Sequence, residues 1–182
     1  MKFYSSTRFI TALFFLASLI MLHPATAGKQ VNYPAPEFTH QKTAEWINSK
    51  PLSIEEMRGK VMLYDFWTFD CWNCYRSFDW LHSVEEKYKD KAFTVIGIHT
   101  PEFQHERNPR RVREKVKGFG FLHPVMLDND FSYWNAMKTR YWPTFYLIDK
   151  KGYVRAVYIG ETHQDDKNAK EIEQLIETLL AE

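Results

Sequence analysis

An α/β fold, a central mixed β-sheet flanked by helices on both faces, is what this sequence predicts, and three observations carry it. Residues 61–67, Val-Met-Leu-Tyr-Asp-Phe-Trp, are nearly all apolar, as in a strand buried on both faces rather than an alternating, half-exposed one. A helical pattern follows almost at once, with Leu81, Val84 and Tyr88 at three- and four-residue steps. Strand and helix signals then alternate to the end of the chain, where Tyr153–Ile159 returns as an antiparallel strand after the turn Lys150-Lys151-Gly152.

Residues 1–27 read as a targeting segment. Lys2 and Arg8 supply a positive start, residues 9–22 are an apolar run of 14, and Ala25-Thr26-Ala27 is a small-residue cleavage site. Fourteen apolar residues are few against the about 20 that span a bilayer, so cleavage after Ala27 is expected in preference to a retained membrane anchor. With no cysteine at that site, no lipid anchor is indicated. The protein is expected to be exported, to a periplasmic space where disulfides persist. Residues 28–182 then form one domain, and 22 basic against 23 acidic residues leave it a net charge of −1. Such a balance exerts no pull toward nucleic acid or an anionic membrane.

Residues 28–39 form a lead-in that Pro34 and Pro36 restrict to extended conformations. Residues 44–48 and 52–58 read as short helical or edge elements before a turn at Gly59, with Trp46, Ile47 and Leu52 packing inward. After the central strand, residues 93–98 (FTVIGI) form a second, ending in His99-Thr100-Pro101-Glu102. His99 and Glu102 read as solvated or capping loop residues, although loops after parallel strands are where sites gather. Asn108 caps a helix with Pro109 in its first turn; Val112 and Val116 face inward, and Arg110, Arg111, Arg113, Lys115 and Lys117 face solvent. Val125–Leu127 is a short strand, residues 131–139 hold a short helix with buried aromatics, and residues 145–148 are a strand. Asp165 or Asp166 caps the last helix, whose apolar stripe is Ile172, Leu175, Ile176, Leu179 and Leu180.

The chemistry is concentrated at Cys71-Trp72-Asn73-Cys74, which holds the only two cysteines of the chain between strand and helix. Backbone N–H groups and the dipole at a helix start favour the thiolate of the first cysteine, and the spacing lets the second sulfur close a disulfide, Cys71–Cys74. A purely structural bridge is a poor explanation, since so short a loop removes only about 2 kcal/mol of unfolded-state entropy. Zinc needs four ligands, and no histidine lies at metal spacing from the pair. Haem attachment needs histidine directly after Cys74, where Tyr75 stands. No metal and no cofactor are therefore expected. Within the preceding strand Asp65 is the one charged residue, and an unpartnered buried carboxyl has a raised pKa. Pro143 enters a strand without an N–H, which a cis Trp142–Pro143 bond in a tight turn would resolve.

Asp65-Phe66-Trp67 followed by Cys-x-x-Cys, with Trp142-Pro143-Thr144 much later, resembles the thioredoxin superfamily. Pro51-Leu52-Ser53, Arg58-Gly59-Lys60-Val61, residues 97–103 (GIHTPEF) and residues 127–130 (LDND) are similar to its TlpA-like branch. The nearest pattern is the thioredoxin-like domain of DipZ-type proteins, which also places Asn before the second cysteine. Trp-Asn between the cysteines departs from the Gly-Pro of thioredoxin itself. The resemblance covers roughly residues 35–161. It implies a thioredoxin-like fold, Asp65 beneath Cys74 as a proton relay, and a cis-proline loop of Trp142 and Pro143 that faces the cysteines and binds substrate. Family members more often act as reductases, fed by a membrane electron-donor protein.

The function expected is that of an exported thiol–disulfide oxidoreductase working as a reductase on protein thiol or disulfide substrates. Cys71 is the nucleophile and Cys74 the resolving thiol. A monomer without nucleic-acid partners is expected. Two alternatives remain beside it. A peroxidase of the peroxiredoxin type would use Thr68 and Cys71, although Tyr64 stands where that motif has proline. A metallochaperone would hold Cu(I) between the two thiolates, a use that Asp65 and Pro143 do not serve.

Overall fold

A computed structural model describes residues 28–182; the expected targeting segment, residues 1–27, lies outside the described residues. A seven-stranded sheet runs through the molecule. Its strands are β1 (Lys29–Pro34), β2 (Trp46–Ile47), β3 (Val61–Trp67), β4 (Phe93–His99), β5 (Val125–Leu127), β6 (Thr144–Ile148) and β7 (Tyr153–Ile159), in the spatial order β1-β7-β6-β3-β4-β5-β2. The β3–β4 and β4–β5 pairs are parallel and the others antiparallel, so the sheet is mixed. The apolar run places β3 fourth of seven, and all its residues are buried.

Alternation along β3 divides the core. Met62, Tyr64 and Phe66 point to the face covered by the short helices α1 (Ile54–Met57) and α4 (Ser132–Ala136), where they meet Phe38, Tyr133 and Trp134. Val61, Leu63 and Trp67 point the other way. There they meet α2 (Trp72–Tyr88), α3 (Pro109–Gly118) and α5 (Lys167–Ala181), through Leu81, Val84, Val112, Ile172 and Ile176 among others. Helices thus cover both faces. The caps follow local chemistry: the Ser53, Asn108 and Asp166 side chains accept N–H bonds at the starts of α1, α3 and α5. Gly152 turns the β6–β7 hairpin at φ +83°, and a Cβ there would lie 2.8 Å from Ile54 Cγ2, so glycine is required twice over.

Two expectations gain detail and one, for Arg113, is corrected. The extended lead-in is an ordered edge strand, β1, paired antiparallel with β7 across a register shift between Gln30 and Tyr33. The short elements near residues 44–48 are a single 3-10 turn, Thr43–Glu45, running into β2. Arg113 does not simply face solvent, because its guanidinium donates to the carbonyls of Ala44 and Trp46 and ties α3 to that strand.

Candidate active site

Cys71 is the N-cap of α2, and its Sγ accepts the Cys74 N–H at 3.1 Å, as a side-chain oxygen does at an ordinary helix start. The two sulfurs are joined in a disulfide, with their Cα atoms 5.3 Å apart. Their environments differ. Cys71 is half-buried at the surface, whereas Cys74 is 0 % exposed and packs with Trp67 and Phe78 beneath the first turn.

Around Cys71 the surface is aromatic. Trp72 and Tyr75 are 66 % and 52 % exposed with stacked rings, and Phe103 and Tyr141 add 50 % and 59 % exposure. Cys71, Trp72, Phe103, Tyr141 and Trp142 line one open cleft. The Trp142–Pro143 peptide bond is cis. Trp142 is held by its indole N–H, which donates to the Thr100 carbonyl at 3.1 Å, and by ring contact with Trp134. The Thr100 hydroxyl in turn donates to buried Asp128, which also accepts the Tyr133 and Trp134 N–H groups and bonds His40. That bond raises the pKa of His40. One buried carboxylate thereby sets both α4 and the loop after β4 that positions Trp142.

Asp65 lies on the face of β3 covered by α2, 1 % exposed, and neither carboxyl oxygen has a hydrogen-bond partner among the described residues. Burial, with a smaller contribution from Glu85, pushes its pKa up to about 8. Near neutral pH it holds a proton.

Sequence reasoning misjudges His99 and overlooks Glu106. His99 is the last residue of β4 and 0 % exposed, not a solvated loop residue. Its Nε2 bonds the Thr68 hydroxyl at 3.3 Å, its ring stacks on Phe69, and burial lowers its pKa to about 4. Nothing in the polar run around Glu106 marks that residue. It lies in a 3-10 turn, Gln104–Arg107, and is fully buried. Its carboxylate accepts the N–H groups of Asp70, Glu102 and Phe103 at 3.0, 2.7 and 2.7 Å. Glu102, in the loop after β4, is exposed and takes part through its backbone.

A family model described as Redoxin matches residues 30–176. Protein DipZ of Mycobacterium bovis is 40 % identical over 119 residues, which are 64 % of this chain and 17 % of that protein. The chain therefore spans less than a fifth of that relative's length. The thiol-disulfide oxidoreductase YkuV of Bacillus subtilis is 25 % identical over 153 residues, 84 % of this chain and 98 % of the relative. Among solved structures, a thioredoxin-like protein in the oxidized form matches with a TM-score of 0.69 and 26 % identity, covering 82 % of this chain and 96 % of its own. The fold is thioredoxin-like.

Proposed function

The chain belongs to the redoxin family, in the TlpA-like branch of the thioredoxin superfamily, and on that premise we propose that it is a thiol–disulfide oxidoreductase acting on protein substrates. The observation that carries this reading is the unequal burial of the two sulfurs. A sulfur that must meet an external disulfide has to be reachable, and one that closes an internal bond need not be. Cys71 meets the first requirement and Cys74 the second.

In the reducing direction the Cys71 thiolate attacks a substrate disulfide, forming a Cys71–substrate bond and releasing one substrate thiolate. Cys74 then gives its proton to a base and attacks Cys71. The Cys71–Cys74 bond forms, the mixed disulfide breaks, and the second substrate thiolate leaves; two electrons have passed to the substrate. Asp65 is the base we assign to Cys74, acting through the minor ionised fraction that a pKa of about 8 leaves near neutral pH, because it is buried on the α2 face and that pKa suits proton exchange with a thiol. Trp142 and Pro143 form the substrate-binding loop. The exposed aromatic rim supports a polypeptide substrate, offering apolar contact beside the reactive sulfur.

We place the protein outside the cytosol on the pattern of residues 1–27, receiving its electrons from a membrane donor protein and working as a monomer. The reduction potential of the Cys71–Cys74 couple tests the direction. A value near thioredoxin's about −270 mV supports a reductase, and one near about −120 mV overturns that direction in favour of an oxidant.

A further inference from the structure

A relay residue with no hydrogen-bond partner, sealed beneath a helix, has to lose its proton somewhere. Asp65 pairs in register with Gly97 of β4. With no side chain at Gly97, Trp67, His123 and Val125 pack closely over its Cα, between β3 and the segment leading into β5. A Cβ built there would lie 3.0 Å from Trp67 Nε1 and 3.2 Å from His123 Nε2. Both nitrogens are buried without a hydrogen-bond partner, as are both oxygens of Asp65. Four of the seven such atoms among the described residues therefore belong to three residues grouped at Gly97: Trp67 and His123, which reach its missing side chain, and Asp65, its register partner. Buried polar groups left unpaired cost free energy, so a cluster of one donor and several acceptors at one point of the core calls for a role that offsets the cost.

The far side of this cluster reaches solvent. His123 is buried, and its Nδ1 lies 2.8 Å from a carboxylate oxygen of Glu85, which is 23 % exposed. Glu85 and His123 line an open cleft between α2 and the β4 edge. A carboxylate on Nδ1 selects the tautomer with the proton on that nitrogen, which leaves Nε2 as a bare acceptor aimed at Gly97 and Asp65. His82 stands beside Glu85, with its Nδ1 3.6 Å away. Of the titratable groups around Asp65, Glu85 of α2 acts on its carboxyl and His123 of the segment before β5 reaches Gly97 beside it, while β4 and β6 pair Gly97 and Phe145 with it; Cys74 of α2 packs with Trp67 on the same face of the sheet.

We propose that the Glu85–His123 pair is the proton route between Asp65 and solvent, reached past Gly97, which puts no side chain between them. It rests on the thiol–disulfide reading above and makes His123 and Glu85 positioning residues for its resolving step. When Cys74 closes on Cys71, Asp65 first gives up the proton it holds near neutral pH and then takes the thiol proton in its place. The released proton moves to Nε2 of His123 as Nδ1 passes its own to Glu85 and solvent, which leaves the imidazole proton on Nε2 until the reverse transfer restores it. In reduction of the Cys71–Cys74 bond the same route runs inward.

The test uses the reduced protein and an aromatic disulfide reagent, dithio-bis-nitrobenzoate. It releases one coloured thiolate on attack by Cys71 and a second on closure by Cys74, both followed by stopped flow. In His123→Gln the first release keeps the wild-type rate and the second slows about tenfold near neutral pH, within the range of a lost proton-transfer group. Added imidazole restores the second release in His123→Ala, and Gly97→Ala slows it with every titratable group in place. Glu85→Gln, a change near the surface, gives the same direction should His123 variants fail to fold. Closure at the wild-type rate and pH dependence in His123→Gln or Glu85→Gln overturns the route. So does slowing of both releases without rescue by imidazole, which marks a purely structural role. If the wild-type protein gives no second release, the thiol–disulfide reading itself fails, a result separate from either.

Discussion

Glu106 accepts a hydrogen bond from the backbone N–H of Asp70 at 3.0 Å, which fastens the turn after β4 to the residue that precedes the cysteine pair. The same carboxylate takes the N–H groups of Glu102 and Phe103, so one side chain sets both walls of the cleft beside Cys71. Glu106→Ala strands these donors, at a cost of about 1–3 kcal/mol per buried group left unpaired. We expect a lower denaturation midpoint. Reduction of a protein disulfide should fall severalfold further than reaction of Cys71 with a small thiol reagent, which needs no cleft. Equal losses for both substrates would contradict a positioning role.

Cys74→Ser leaves the reachable sulfur in place and removes the one that resolves. Covalent complexes through Cys71 with substrate proteins should accumulate and run as reducible bands on non-reducing gels. Cys71→Ser, whose remaining sulfur is 0 % exposed, should trap few. Trapping of equal strength by the two variants would reverse or abolish the assigned roles.

Asp65 links folding to pH in a direction opposite to that of most carboxyls. In the unfolded chain it ionises near pH 4, whereas in the fold burial holds its proton up to about 8. Between those values the unfolded state binds fewer protons, so stability falls as pH rises and levels off above about 8. Asp65→Asn should abolish that slope and leave the oxidised protein more stable than wild type at pH 9, by a few kcal/mol. Urea midpoints measured across the range check it; parallel curves for the two proteins would show that Asp65 is not buried as a neutral acid.

His99 acts at the acid end. Its folded pKa of about 4 lies below the ordinary 6.5, so the unfolded state takes up the proton first and stability is lost as pH falls through that interval. Each tenfold difference in proton affinity between the two states is worth about 1.4 kcal/mol, so the loss amounts to roughly 3 kcal/mol by pH 4. Asp65 gains in the same interval, so wild type should be nearly flat there while Asp65→Asn loses stability steeply. In the double variant with His99→Gln that acid loss should disappear, and its persistence would place the acid sensitivity elsewhere.

The legible part of this protein is the part written in local pattern. The run at residues 61–67 announces a strand buried on both faces, because six of its seven residues are apolar or aromatic and no polar alternation marks an exposed face. Asn108 and Asp166 announce helix starts through a side-chain oxygen within reach of the next turn's N–H. The cysteine pair announces itself by rarity and spacing. Edge strand β1 is less visible, since its pairing with β7 depends on a partner more than a hundred residues away.

Sequence by itself determined the α/β class, the position of the thiol pair at a helix start, and the strand that carries Asp65, because each depends on neighbours within a few residues. Only the tertiary structure decided which polar side chains would be sealed in. Glu106, His99 and His123 sit among residues that give no sign of burial, and their roles come from Asp70, Thr68 and Glu85, between 31 and 38 positions away. Burial is a property of the surroundings, and a side chain's ionisation and hydrogen bonding follow from what the fold brings against it.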